Sequence, residues 1–276
     1  MRQTSSVLYI AVDGLIPARV KSISGLDEFT AALDHAGIPA VWVTSRSRLQ
    51  FDEARRKLAH AHPFISEGGC CVCMPEGYFH LKPETTVRLG RFTCIPVAQA
   101  LPVAAQALES LSSETGVAGV SLASLSPREL AQNTGLPQRE AELMRQRDFD
   151  EVFFFAGASE KDIQRFGAEA RERKLQLRQH GMLWSLASGA NLKRCIQDST
   201  KLYDRALRYH AAVVGVATSE GAAELFAACD RSILLTETRE ETDAPAAISG
   251  ARTRQFPLHN RETWDYLLES VSGKSW

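Results

Sequence analysis

The feature that most constrains the fold of this chain is an unbroken apolar run near its start. Residues 7–12 read VLYIAV and are followed directly by Asp13 and Gly14. A run of this length without polar alternation is typical of a strand that is buried on both faces, as at the centre of a parallel sheet. The run therefore predicts an α/β fold.

The segments at both ends of the chain repeat this pattern. Residues 26–36 carry apolar side chains at helical spacing, the GIP sequence at 37–39 ends that helix, and residues 40–44 form a second apolar run. Two further short runs lie at residues 211–217 and 232–235, with an apolar helical segment between them. The first and last thirds of the chain are thus expected to build one α/β sheet.

The middle third of the sequence has a different pattern. Its strand-like segments, at residues 86–95 and 152–155, are spaced among several helices and do not alternate with them one for one. This arrangement predicts a core domain of residues 1–84 and 186–276 with an inserted α+β module of residues 85–185. The Glu-, Thr- and Pro-containing segment 236–249 is expected to be a mobile surface loop.

Charge and hydropathy exclude two classes of partner. The chain has 32 Lys and Arg against 33 Asp and Glu, a formal net charge of -1, so it lacks the global positive field that holds a nucleic acid. Its longest apolar runs fall well short of the roughly 18 residues that a membrane helix needs. We therefore expect no nucleic-acid partner, no membrane partner and a cytoplasmic location. No feature of the sequence identifies a protein partner.

Six cysteines are few for 276 residues, which argues against a disulfide framework. Three of the cysteines follow two histidines within about ten residues of sequence, a combination that raises the question of a metal site. They are Cys70, Cys71 and Cys73, after His60 and His62. Structural zinc sites, however, use separated ligand pairs, and adjacent cysteines rarely point at one ion. We interpret the cysteines as buried thiols.

Several segments resemble one enzyme family along nearly the whole chain. The matching segments, in family order and spacing, are residues 37–46 (GIPAVWVTSR), 63–69 (PFISEGG), 75–79 (PEGYF), 129–136, 140–142 and 147–151. They are similar to mannosyl-3-phosphoglycerate phosphatases of the haloacid dehalogenase superfamily. The resemblance implies a Rossmann-like core with a parallel sheet, built from both ends of the chain, and an α+β cap inserted between them.

The resemblance also shows which catalytic groups this sequence lacks. The family uses an Asp nucleophile after the first strand, a second Asp two residues later as general acid and base, and a Mg²⁺ ion held by carboxylates. The nucleophile position is Ala11 here, whereas the acid–base position keeps Asp13. An alanine methyl group cannot attack phosphorus or bind Mg²⁺.

The substrate-binding positions that the resemblance implies are only partly kept. Thr44, Ser45 and Arg46 retain the second motif and are expected to hold an anion, and Arg147 falls where the family cap faces its substrate. In the third motif the family lysine aligns with a leucine when no gap is introduced. Lys193 follows one residue later and can replace that lysine only if the local backbone shifts.

The metal-ligand positions of the fourth motif have also changed. They read Thr218, Gly221 and Ala222, so that none of the three carries a carboxylate. A hard cation needs several oxygen ligands, and Asp13 alone does not provide them. The sequence therefore predicts no metal site and no cofactor.

Three functions follow from these observations. The one we prefer is a catalytically inactive family member that binds or regulates through a phosphorylated sugar or glycerate. The alternative is an active Mg²⁺-dependent phosphatase of the same superfamily, acting on mannosyl-3-phosphoglycerate or a similar sugar phosphate with a displaced nucleophile. The third is a structural subunit whose pocket is vestigial.

Overall fold

A computed structural model describes residues 6–16, 25–80, 83, 85–219, 221–237 and 253–272. The expected surface loop at 236–249 lies outside these residues except for its first two positions. The strands are β1 (Ser6–Ala11), β2 (Ala40–Val43), β3 (Phe64–Ser66), β4 (Cys71–Pro75), β5 (Val87–Leu89), β6 (Phe92–Pro96), β7 (Gly119–Ser121), β8 (Glu151–Phe155), β9 (Leu175–His180), β10 (Leu183–Ser188), β11 (Ala212–Ala217), β12 (Arg231–Thr236) and β13 (Thr253–Pro257). The α-helices are α1 (Leu26–Ala36), α2 (Arg48–Lys57), α3 (Leu101–Thr115), α4 (Pro127–Thr134), α5 (Gln138–Met144), α6 (Glu160–Glu172), α7 (Leu192–Leu207), α8 (Ala222–Phe226) and α9 (Arg261–Val271).

The large sheet has the strand order β13-β12-β11-β1-β2-β3-β4-β6-β5. The strands from β13 to β3 are parallel, and β4, β6 and β5 continue the sheet in antiparallel fashion. β1 lies between β11 and β2, and its residues Val7 to Ile10 are fully buried. The prediction that the first apolar run is the central strand of a parallel sheet is confirmed.

Helices cover both faces of the large sheet. On one face α1, α2 and α9 bury side chains such as Phe29, Phe51 and Trp264 against Ile10 and Trp42. On the other face α7 and α8 bury Ile196 and Leu225 against the remaining strand side chains. The result is the three-layer α/β core that the resemblance implies, and this fold class is confirmed.

A second sheet, β7-β8-β10-β9, is antiparallel throughout and belongs to the middle third of the chain. It packs against α3 and α6 around a small core that contains Phe153, Phe166 and Leu186. The middle third is therefore an α+β unit, as predicted; we call it the cap.

The strand-like segment of residues 86–95 forms two strands of the large sheet. Residues 86–95 were expected in the cap, but β5 and β6 pair with β4 at the edge of the large sheet. Periodicity identifies a strand without identifying its partner, which explains the difference. The division into a core of residues 1–84 and 186–276 and a cap of residues 85–185 stays a prediction, although strand pairing assigns residues up to Pro96 to the large sheet.

Two further expectations concern the cysteines and the membrane. All six cysteines are free thiols; five are buried and Cys229 is partly buried, which confirms their interpretation as core residues. Among the described residues, no helix combines the length and the hydropathy that crossing a membrane requires.

Candidate functional site

A cavity of about 330 Å³ lies where the carboxyl ends of β1, β2 and β11 face the cap. The core contributes loop and helix residues, and β9 of the cap contributes three consecutive residues. The lining residues are Ala11, Asp13, Val43, Thr44, Ser45, Gly68, Arg178, Gln179, His180, Leu192, Ser219, Gly221, Ala223 and Glu224. Because the carboxyl ends of parallel strands meet at one edge of a sheet, the ends of separate βα units converge on this cavity.

The Asp13 carboxylate is held by the loop that follows β2. The Thr44 hydroxyl donates to Asp13 Oδ1, and the Ser45 backbone N–H donates to Asp13 Oδ2 at 2.6 Å. Arg46 Nε lies 3.7 Å from Oδ1. Thr44 and Ser45 thus give these donors to a carboxylate of the chain itself, although the resemblance assigns both residues to an incoming anion.

The position that the resemblance assigns to the nucleophile offers no reactive atom. Ala11 ends β1 and lines the cavity with a methyl group. Thr218 packs against Gly14 so closely that a Cβ at position 14 would overlap its hydroxyl oxygen. Of the other two positions that the resemblance assigns to metal ligands, Gly221 lines the cavity and Ala222 is fully buried in the core.

The residues around Asp13 do not fit a Mg²⁺ ion. This ion requires six oxygen ligands in octahedral geometry, supplied by one or two free carboxylates together with substrate phosphates and waters. Within the described ranges, Asp13 belongs to no group of three potential metal-ligating side chains. Its oxygens already accept hydrogen bonds, and the neighbouring Arg46 supplies the positive charge that a cation would supply.

The cap reaches into the cavity through Arg178. Its guanidinium donates to both carboxylate oxygens of Glu224, at 3.2 and 3.0 Å, and its side chain is 18% exposed. Gly68 leaves room for this guanidinium, since a Cβ there would lie 3.3 Å from Arg178 Nη1. The pair joins β9 of the cap to α8 of the core across the cavity.

His180 lies on the same strand face as Arg178, two residues along β9. Burial lowers the pKa of its imidazole, and the charge of Arg147 lowers it further. Its Nε2 atom is 3.1 Å from the Ser185 hydroxyl. His180 is therefore a neutral hydrogen-bonding group at neutral pH. The alternation of Leu175 and Leu177 with polar residues was the sequence signal for this face, and we missed it.

Arg147 and Lys193 lie outside the cavity lining. Arg147 is 6% exposed, pairs with Asp150 through contacts of 2.6 and 2.7 Å, and donates to the Ser45 carbonyl at 2.8 Å. It therefore supports the loop that holds Asp13. Lys193 is exposed at the start of α7, and Leu192 occupies the cavity wall in its place.

A buried carboxyl that sequence reasoning missed lies beneath this loop. Glu67 is 1% exposed and accepts backbone hydrogen bonds from Asp148, Phe149 and Asp150, at 2.9–3.0 Å. Burial, with a contribution from the Asp150 carboxylate, raises the pKa of Glu67 to about 8. An acidic residue within a short apolar segment was the signal for this buried position.

Comparison with curated proteins identifies phosphatase relatives. A search of protein-family models found none that matches the chain. The chain is 24% identical over 243 residues to a glucosyl-3-phosphoglycerate/mannosyl-3-phosphoglycerate phosphatase of Persephonella marina, covering 86% of this chain and 87% of that protein. It is 24% identical over 169 residues to the phosphatase of the same name from Methanococcoides burtonii, covering 60% and 61% of the two chains.

Solved structures show the same fold over almost the whole chain. A haloacid dehalogenase-like hydrolase from B. subtilis superposes with a TM-score of 0.59 at 15% identity, covering 97% of this chain and 99% of that one. A phosphatase of the superfamily from Bacteroides thetaiotaomicron gives 0.62 at 14% identity, covering 96% and 94%. The chain is therefore similar over most of its length to a mannosyl-3-phosphoglycerate phosphatase, and it has the fold of the haloacid dehalogenase-like hydrolases.

Proposed function

We propose that this chain is a catalytically inactive member of its family that binds a phosphorylated sugar or glycerate and acts through that binding. One observation carries the proposal. At the edge of the sheet where the family performs catalysis, Ala11 replaces the nucleophile, and the nearby Asp13 carboxylate is already bound by Thr44 and Ser45. Neither the covalent step nor a Mg²⁺ site has the groups it needs.

The cavity still offers groups suited to an anionic sugar derivative. Arg178 presents a planar guanidinium, the geometry that binds phosphate or carboxylate through two parallel hydrogen bonds. Gln179, neutral His180 and Ser219 add uncharged polar groups of the kind that bind sugar hydroxyls. The curated relatives are named for phosphoglycerates that carry a glucosyl or mannosyl group, and such a molecule combines both kinds of chemistry.

The guanidinium of Arg178 is already paired with Glu224, so a ligand must displace the Glu224 carboxylate. The exchange keeps one anion on Arg178 and releases the partly exposed Glu224 carboxylate to water. Since pairs that are open to solvent contribute about 0–1 kcal/mol, this exchange costs little. Asp13, Arg46 and Thr44 would keep their present hydrogen bonds.

A phosphate-release assay tests the absence of catalysis. A panel of phosphorylated sugars and glycerates, including mannosyl-3-phosphoglycerate, is incubated with the purified chain with and without Mg²⁺. We expect no release above buffer, while the Persephonella marina relative, assayed in parallel, confirms that the substrates are competent. Mg²⁺-dependent turnover would support the alternative, an active phosphatase with a displaced nucleophile.

Thermal unfolding in EDTA tests the binding. A ligand at 100 times its Kd stabilises the folded state by about 2.7 kcal/mol, which raises the melting temperature. We expect a phosphorylated sugar or glycerate to do so for the wild type and for Thr44→Ser. The rise should be lost in Arg178→Gln, which removes the guanidinium, and in Thr44→Val, which frees the Asp13 charge to repel the ligand. If no compound shifts the melting temperature at millimolar concentration, the structural-subunit interpretation replaces ours.

A further inference from the structure

Three thiols converge in the core of the large sheet, away from the cavity. The Sγ atoms of Cys71, Cys73 and Cys94 all lie within 4.8 Å of one another, and those of Cys71 and Cys73 are 4.0 Å apart. All three residues are fully buried. Of the described residues, these form the group of three side chains that is close enough to share a metal ion.

Strand geometry explains the convergence. Cys71 and Cys73 are two residues apart on β4, so both side chains point to the same face of the sheet. Cys94 on β6 lies directly opposite Cys73 in the antiparallel register. Cys70 stays outside the group, in agreement with the rule that adjacent cysteines do not point at one ion. The third member comes from a strand that the sequence had assigned to the cap.

We propose that Cys71, Cys73 and Cys94 form a binding site for a soft monovalent cation, copper(I), held by three thiolates. A metal–thiolate bond of about 2.3 Å in a trigonal plane places the sulfurs about 4.0 Å apart. The Cys71–Cys73 separation already has this value, and the longest edge of the triangle need shorten by under about 1 Å. Binding releases three thiol protons to solvent and changes no oxidation state.

The number and type of ligands favour copper(I) over zinc. Thiolates select soft metals, and structural zinc sites almost always take four ligands in a tetrahedron. Here no fourth His, Cys, Asp or Glu ligand joins the three sulfurs among the residues that the structure describes. A three-coordinate site within an apolar core therefore suits copper(I).

The surroundings compensate the negative charge of such a complex. Arg48 and Arg55, both largely buried, lie close enough to interact electrostatically with the sulfurs of Cys73. Arg48 pairs with Asp148, whereas Arg55 and Arg91 share the single carboxylate of Asp52, which leaves a local excess of positive charge. The core thus carries cations beside the thiols, where an anionic metal–thiolate complex needs them.

A hydroxyl beside the sulfurs can stabilise a thiolate. The Ser66 hydroxyl lies 3.6 Å from Cys73 Sγ and can donate to a thiolate there. The metal offsets the cost of burying the three thiolates.

Copper content of the full chain tests the proposal. The chain is produced in cells supplemented with copper, purified without oxygen, and challenged with a chelator that is selective for copper(I). We expect one copper per chain to remain, with an ultraviolet thiolate-to-copper charge-transfer band and an X-ray absorption spectrum of three sulfur neighbours. A parallel preparation with zinc should retain none after the equivalent chelator challenge.

Matched variants locate the site. Cys71→Ala and Cys94→Ala should each lose the copper and the band, whereas Cys70→Ala, an adjacent buried cysteine outside the triangle, should keep both. Far-ultraviolet circular dichroism identifies any variant that fails to fold. The copper content of the wild type tests the proposal even if a variant is excluded for that reason. The proposal would be contradicted if the wild type retained no copper or retained zinc in its place. It would also be contradicted if Cys71→Ala and Cys94→Ala fold and bind copper as well as the wild type.

Discussion

Asp13 shows how one residue can change the meaning of its neighbours. Thr44 and Ser45 would serve an external anion in the family, yet both donate to the Asp13 carboxylate in this chain. An internal carboxylate binds these donors without the entropy cost of capturing a free ligand, so the pairing is favoured. Through these hydrogen bonds Asp13 stabilises the loop after β2.

Restoring the nucleophile alone should not restore activity. In Ala11→Asp the new carboxylate would lie beside Asp13 and would face an anionic phosphoryl group without a metal to offset the charge. We expect no phosphate release above that of Ala11→Asn, an isosteric control, with mannosyl-3-phosphoglycerate and millimolar Mg²⁺. Turnover by Ala11→Asp above this control would mean that the metal site survives in a form we have not recognised.

At the scale of elements, one buried tyrosine hydroxyl connects the central strand to helix α7 through hydrogen bonds. Tyr9 on β1 is fully buried; its hydroxyl donates to the Ile196 carbonyl at 3.1 Å and lies within 2.8 Å of the Ser199 and Thr200 hydroxyls. Burial raises the pKa of Tyr9 above its ordinary value, so the hydroxyl keeps its proton at neutral pH. Helix α7 also supplies Leu192 to the cavity wall, which ties the site to this contact.

Removing this hydroxyl should destabilise the core. Tyr9→Phe keeps the ring but leaves the Ser199 and Thr200 hydroxyls without a shared partner, and we expect the free energy of unfolding to fall by about 1–3 kcal/mol. Tyr266→Phe, at a site that is 43% exposed, should change it by less than about 0.5 kcal/mol. Denaturant unfolding of the two variants makes the comparison. Equal stabilities would show that the buried network contributes nothing.

At the scale of the whole molecule, two charged contacts connect cap and core. Arg147 and Asp150, next to β8 of the cap, meet Glu67 and the Ser45 carbonyl of the core, and these side chains are buried. Arg178 pairs with Glu224, whose side chain is exposed to solvent. Breaking the buried contact would leave an uncompensated charge, whereas the open contact can exchange with a ligand. The junction between cap and core therefore combines a buried contact around Arg147 that is fixed with an exposed pair, Arg178 and Glu224, that can exchange.

The buried contact contains Glu67, which should make the free energy of unfolding depend on pH. The pKa of Glu67 is about 8 in the folded chain, above its ordinary value of 4.5, so between these values the folded state holds more protons than the unfolded state. The contribution of Glu67 is therefore fully present below pH 4.5 and is lost as the pH rises toward 8, by at most about 1.4 kcal/mol per unit.

The matched variants Glu67→Gln and Glu169→Gln isolate this effect. Denaturant unfolding between pH 5 and 8 should give a smaller loss of stability with rising pH for Glu67→Gln than for the wild type. Glu169→Gln, at an exposed position on α6, should follow the wild type. Parallel pH profiles for all three proteins would show that Glu67 titrates alike in the folded and unfolded chains.

The sequence by itself determined the class of fold, the central strand and the methyl group at position 11. A short apolar run such as residues 7–12, ended by Asp and Gly, is typical of a strand that is buried on both faces, and the presence of an alanine at position 11 is independent of any folding. These are local properties, which residue type and periodicity record directly. The motif order likewise identified Thr44 and Ser45 as residues near the site.

Tertiary structure alone decided which groups meet. That Asp13 takes the donors of Thr44 and Ser45, that Arg178 crosses from the cap to Glu224, and that β5 and β6 join the large sheet depend on contacts between distant parts of the chain. Hydrogen bonds and strand pairs depend on distance and direction in space, and periodicity along one segment contains neither. For the same reason the convergence of Cys94 with Cys71 and Cys73 became visible only when two strands were placed in register.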